Sequence, residues 1–203
     1  MRPALAALAL AALLGAAAVA LLARATGPHD AFDIAFERAR LARLADRLVL
    51  DARAEVRLPD PVRAGLDSGV ALEFVVALEV REPLRWWPDA HRASARWRYR
   101  LEYYELTRHY RLGSPDTDRG GNYRSLSRAL EALGTLRGLT LPSGDGGGDA
   151  VGPGDRATLA MRLDVGALPL PLRPLVSSSW RVRSAPLAWS VGSDVGSDAG
   201  SGV

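Results

Sequence analysis

Apolar and polar residues alternate along most of this chain, and a period of two predicts β-strands. The clearest run places Val70, Leu72, Phe74, Val76, Leu78 and Val80 on one face, with Glu73 and Glu79 on the other. Ala71, Val75 and Ala77 make that second face half apolar, which predicts partial cover there too. Residues 32–58 carry two patterns. Leu41, Leu44 and Leu48 have helical spacing, whereas Phe32, Ile34 and Phe36 alternate. So do Leu48, Leu50, Ala52, Ala54, Val56 and Leu58, interleaved with Asp51, Arg53, Glu55 and Arg57. The alternation predicts a two-stranded hairpin with its turn near Ala45 and Asp46.

Further on, Trp97, Tyr99, Leu101 and Tyr103 share one parity, with Arg96, Arg98, Arg100 and Glu102 opposite. Tyr104, Leu106, Tyr110 and Leu112 then continue on the other parity. A strict period of two cannot change faces without an extra residue, so a β-bulge or sharp bend is expected near Tyr103–Glu105. Such a bend lets one long strand serve two packed sheets. Residues 157–165 alternate as a strand, and residues 180–191 form a last strand region broken at Pro186. Leu168 to Leu172 includes Pro169 and Pro171, which lack the ladder donor, so it reads as an extended edge segment.

Helical signals are few. Asp60-Pro61 opens a short turn, with Asp as cap and Pro in first position, closed by Gly65 and Gly69. Tyr123, Leu126, Leu130 and Leu133 form a helical stripe with Gly138 beyond its end. Residues 113–122 read as a polar loop, residues 142–155 as a flexible Gly/Asp loop, and residues 192–203 as a disordered tail. The expected fold is mainly β: a two-layer antiparallel β-sandwich of six or seven strands with one short helix over residues 30–191.

A hydrophobic N-terminal helix is expected to precede it. Ala4 to Ala23 is an unbroken apolar run after Met1-Arg2, and Ala23-Arg24-Ala25 fits a signal-peptidase site. Two readings of residues 1–25 remain open: a cleaved signal peptide, or a retained membrane anchor, since about 20 apolar residues span a bilayer. Both place the domain outside the inner membrane, in the periplasm or tethered there by residues 4–23.

Composition narrows the chemistry. All 26 basic residues are Arg; there is no Lys, no Gln and no Cys, with abundant Ala, Gly, Pro and Leu. That usage reads as the codon bias of a GC-rich genome. The formal charge is +3, and removing Arg2 and Arg24 leaves +1, so no nucleic-acid footprint is expected. The absence of Cys excludes disulfides, thiolate metal sites and lipid attachment at an N-terminal Cys.

Several phrases carry a family resemblance. They are Trp86-Trp87-Pro88-Asp89; Tyr99 to Thr107 with Tyr110; Ser125-Leu126 and Ala129-Leu130; Leu163-Asp164 followed by Leu168-Pro169 and Pro171-Leu172; and Trp180 with Ser184 and Trp189. In this order and spacing they resemble the proteobacterial domain of unknown function 4390 family, sometimes labelled a proline-rich signal-peptide protein. The resemblance implies export and carries no assigned activity and no established functional residues. It also implies association with a nitrogen-type two-component sensor kinase, whose gene often lies beside those of the family.

No catalytic motif stands out. His29, His91 and His109 are scattered, without metal-ligand spacing. Asp116 to Gly121 begins like a calcium loop but has Gly120 and Ser127 where oxygen ligands are needed. Asp145 to Asp149 lacks the spacing of a calcium repeat. Ser177 to Ser179 lacks the flanking glycines of a nucleophile elbow. Glu102, Glu105 and Asp164 are the carboxylates that would have to converge in an acid–base site. No cofactor or metal is expected.

Of 13 aromatic residues, seven lie between Trp86 and Tyr110. Alternate strand positions filling a core account for most of them; stacking platforms for sugars or bases use similar groupings. Trp86 and Trp87 are adjacent in a loop beside Arg85 and Asp89, so both cannot point inward. Trp86, Trp87 and Asp89 are therefore the candidate partner-binding residues. The functional expectation is a non-catalytic periplasmic interaction module touching an inner-membrane signalling protein. The alternative is a glycan- or lipid-binding β-sandwich.

Overall fold

The computed structural model describes residues 33–44, 47–86, 88–114, 120–141, 151–169 and 178–192. The apolar run 4–23, the turn Ala45-Asp46, residues 142–150 of the Gly/Asp loop and the tail beyond 192 lie outside them.

Nine strands and two short helices are described, all strand pairs within the sheets being antiparallel. The order is β1 (Ile34–Leu44), β2 (Arg47–Val56), α1 (Asp60–Asp67), β3 (Leu72–Glu82), β4 (Ala90–Tyr104) and β5 (His109–Gly113). Then come β6 (Gly121–Tyr123), α2 (Leu126–Leu133), β7 (Thr135–Thr140), β8 (Arg156–Leu163) and β9 (Leu187–Ser190). One sheet has the order β1-β2-β7; the other has β6-β5-β4-β3-β8-β9. Side chains from both sheets and both helices form one buried cluster, including Leu50, Leu66, Phe74, Trp97, Leu133 and Met161.

The mainly β expectation holds, but six or seven strands and one helix become nine and two. Each extra element has a physical reason for having been hidden. Strand β6 has three residues, too few to show a period. In β7, Leu136 and Leu139 are both buried, a spacing of three that a simple strand forbids. The register explains it: Ala52 pairs with Leu136 but Leu50 with Leu139, so an extra residue bulges there. Gly138 takes the bulge at φ 57°, and its N–H donates to Asp51 Oδ1 at 2.6 Å. Gly138 is thus inside a strand. Helix α2 ends at Gly134 instead, and Tyr123 lies in β6, outside the helix. Ser125 caps α2, its hydroxyl accepting from Arg128 N at 3.4 Å.

A second bulge lies in β1, where pairing passes from Phe36↔Ala54 to Arg38↔Arg53. It moves the buried parity from Ile34 to Ala39 and Leu41, which is why the stretch mixes two spacings. The hairpin of β1 and β2 stands as expected.

The expected bend near Tyr103–Glu105 is a correction. Strand β4 ends at Tyr104, and a four-residue turn leads back into β5, with Tyr104 opposite His109 and Tyr103 opposite Tyr110. Partners in this register pair odd with even numbers, so the parity switch is a hairpin and not a bulge. Arg108 closes the turn at φ 51°.

Helix α1 is capped by Pro59 with no side-chain bond, so Asp60 stands in its first turn and not at the cap. Its carboxylate there complements the positive end of the helix. Gly69 closes the helix at φ 86° as expected, whereas Gly65 lies within it. A side chain at Gly65 would meet the Trp180 indole at 2.6 Å, so the glycine admits that ring.

Candidate functional site

The β3–β4 connection carries the residues singled out from sequence. Strand pairing ends at Glu82↔Ala90, and an ion pair between Arg92 and Glu82 clasps the base of the loop. At its tip Trp86 is 83% exposed, the highest of any described tryptophan, and the Arg85 guanidinium lies 5.6 Å from its ring centroid. That distance is within cation–π range, and the indole stays open to solvent. Asp89 is half-buried just before β4. Trp87 lies outside the described residues.

The other aromatics of the cluster divide by face. Trp97 and Tyr99 are buried in the core at 4% and 5% exposure. They fill space between elements and offer no stacking platform. Tyr103 and Tyr110 pack against the core from its margin, their rings 4.8 Å apart and tilted by 39°. They line a concavity of about 880 Å³ with Asp67, Ser68, Glu105, Leu106 and Arg108. Leu106 is fully exposed at the hairpin turn. The Tyr110 hydroxyl donates to Asp67 Oδ1 at 2.9 Å, tying β5 to the end of α1. Burial, and then that carboxylate, push the Tyr110 phenol up to about 12.

A different cluster appears on the outer face of the larger sheet, the face turned away from the core. Arg100 on β4 reaches Glu73 of β3 at 3.3 Å and Glu102 of its own strand at 2.6 Å. Tyr104 Oη donates to the second Glu102 oxygen at 3.2 Å. The hydrogen bond to Glu102, more than the charge of either carboxylate, holds the Arg100 guanidinium above its ordinary range. Arg98, Arg111 and Ser114 complete a concavity of about 460 Å³ around this group. Sequence reading missed it because Glu73 and Arg100 meet only through the β3–β4 register.

The carboxylates proposed for acid–base chemistry do not meet. Glu102 lines the arginine concavity and Glu105 the tyrosine concavity, while Asp164 lines neither. Asp164 accepts from Gly166 N at 3.1 Å and caps the single turn Val165–Ala167. His91 is exposed on β4, and His109 bonds the Thr107 carbonyl through Nδ1. Among the described residues no three His, Cys, Asp or Glu side chains gather to hold a metal ion. Ser178 and Ser179 lie in a short 3₁₀ turn. His29, Asp116, Asp118, Asp145, Asp149 and Ser177 lie outside the described residues.

No curated protein and no solved structure matches the chain. A family model described as domain of unknown function (DUF4390) matches residues 31–190, in line with the resemblance read from the sequence.

Proposed function

We propose, from the premise that this chain belongs to the DUF4390 family, that it is a non-catalytic interaction module of the cell envelope. In this reading residues 4–23 export or tether the domain, and its two sheets form the layers of a β-sandwich. The single core drawn from both sheets supports that layering. The β3–β4 loop is the docking element, with Trp86, Trp87 and Asp89 as its contact residues. One observation carries it: Trp86 is 83% exposed on a loop clasped at its base by Arg92 and Glu82. An exposed indole adds nothing to the core, yet large exposed aromatics are the usual anchors of interfaces. The partner proposed is an inner-membrane signalling protein of the sensor-kinase type, the class with which the family is associated.

The test is recovery of a membrane partner from solubilised envelopes on the full-length chain. Recovery should fall at least tenfold when Trp86→Ala and Trp87→Ala are combined. Equal recovery by the double variant would remove the role given to the loop.

A second reading has one observation in its favour. The Tyr103–Tyr110 pair lines an open concavity with three charged neighbours, a combination that suits a glycan ring. Oligosaccharide binding that quenches tyrosine emission and is lost in Tyr103→Ala would favour it; the docking reading predicts no such response.

A further inference from the structure

We infer that the outer face of the six-stranded sheet lies against an anionic phospholipid surface. The inference goes beyond the docking reading and uses no residue of the Trp86 loop; it rests on that reading only for the export or tethering role of residues 4–23, which the vesicle test below does not need.

The face is built by register. Arg98 on β4 and Arg162 on β8 flank Val75 on β3 in a single row. Arg96 lies opposite Ala77 in the next row, Arg111 continues the face on β5, and Arg156 pairs with Arg81 at its far end. Its carboxylates are already engaged: Glu73 and Glu102 hold Arg100, Glu79 holds Arg81, and Asp164 lies 4.0 Å from Arg162. Arg96, Arg111 and Arg156 have no carboxylate at ion-pair distance among the described residues. The near-neutral balance of the whole chain therefore hides a positive face. Acids that offset it, such as Asp145, Asp149, Asp194 and Asp198, belong to the loop and tail in sequence.

The shape of the face selects the occupant. Its centre is short: Val75, Ala77, Thr158 and Ala160. Val75 is only 6% exposed although it points away from the core. Long arginine stems over short neighbours cover apolar carbon while holding guanidinium groups outermost. Arg98 and Arg162 stand two strands apart, about 10 Å. Spread over β4, β5 and β8, the arginines of this face present positive charge across a plane, as a layer of headgroups requires. The aromatics of β4 between Arg96 and Leu101 point inward, so the face has no stacking surface for bases there. In the reading proposed above, the apolar run Ala4–Ala23 brings the domain to a bilayer whether or not it is later cut.

Each arginine near an anionic surface is worth about fivefold in binding, so removing three costs about a hundredfold. The fragment 31–203 is suitable for the test because the buried cluster formed by the described residues lies within residues 34–189. It should sediment with phosphatidylcholine vesicles that contain phosphatidylglycerol and not with phosphatidylcholine alone. Added salt should release it. Combined Arg96→Ala, Arg111→Ala and Arg156→Ala should weaken binding about a hundredfold, the lysine versions should retain it, and Trp86→Ala should leave it unchanged. Equal binding to neutral vesicles, or none to either, would overturn the inference. So would full binding by a folded alanine variant, or by both triple variants alike. Displacement by free glycerol phosphate would mean a small-anion site in place of a surface, and tighter binding to an oligonucleotide would mean a nucleic-acid face.

Discussion

Replacing Gly134 by alanine probes the junction where α2 meets β2, and its cost can be worked from the geometry. The φ at Gly134 is −76°, which any residue adopts, so backbone freedom is not the reason for glycine. Space is. An added Cβ would stand 2.0 Å from the Ala54 carbonyl oxygen and 3.1 Å from its carbon. Both atoms are backbone and cannot rotate aside, so α2 and β2 must part by about 1 Å to restore ordinary contact. That movement breaks the bond from Ala54 N–H to the Gly134 carbonyl, now 2.8 Å long. A lost hydrogen bond costs about 1 kcal/mol and forced overpacking about 1–3 kcal/mol more. The sum, about 2–4 kcal/mol, lowers the Tm of a domain this size by about 5–15 °C. Thermal unfolding followed by far-ultraviolet circular dichroism measures it. Gly113→Ala is the control, since nothing lies within 4 Å of its added carbon. It should stay within about 0.5 kcal/mol of the parent. A Gly134→Ala protein as stable as that control would refute the close approach of α2 to β2.

Other outcomes follow from single contacts. Trp86→Ala should leave stability within about 0.5 kcal/mol of the parent, because the indole is outside the core; a large loss in urea unfolding would mean the loop is structural. Asp51→Ala should cost about 1 kcal/mol by leaving Gly138 N–H without its acceptor, and Asp51→Asn should recover most of it; equal melting of all three proteins would contradict the bulge bond. The Tyr110 phenol titrates near 12 in the folded protein against 10.0 ordinarily, so the fold holds that proton more tightly than the unfolded chain does. Its contribution is complete below pH 10.0 and falls away as pH rises towards about 12. No lysine titrates in that window, and Tyr110→Phe should flatten the alkaline loss of stability measured in urea; an unchanged slope would place Tyr110 outside the cause.

Where one face of a strand is simply buried and the other wet, the sequence already displays the fold. Strands β2, β3, β4 and β8 read directly, because Leu48 to Val56, Leu72 to Val80, Ala93 to Leu101 and Ala157 to Leu163 hold a period of two without interruption. Legibility fails wherever an extra residue enters a ladder. The bulges at Glu37 and near Gly138 turn strand spacing into something like helix spacing, and β7 vanished into the end of α2 for that reason. The hairpin at Glu105–Arg108 produced the parity change expected of a bulge, because an odd register sum and a bulge shift faces alike. Of the site, the exposed loop was legible from two adjacent tryptophans that cannot both face inward. The Arg100 cluster and the Tyr110–Asp67 bond were not, since each joins side chains from different elements.

The β3–β4 loop is proposed to meet a membrane protein in the envelope. Placing a photo-crosslinking amino acid at position 86 in the full-length chain, in its native host, tests it most directly. Illumination should yield an adduct with a membrane protein from position 86 and none from position 137, which is exposed on β7. No adduct at 86, or the same adduct from both positions, would contradict the account.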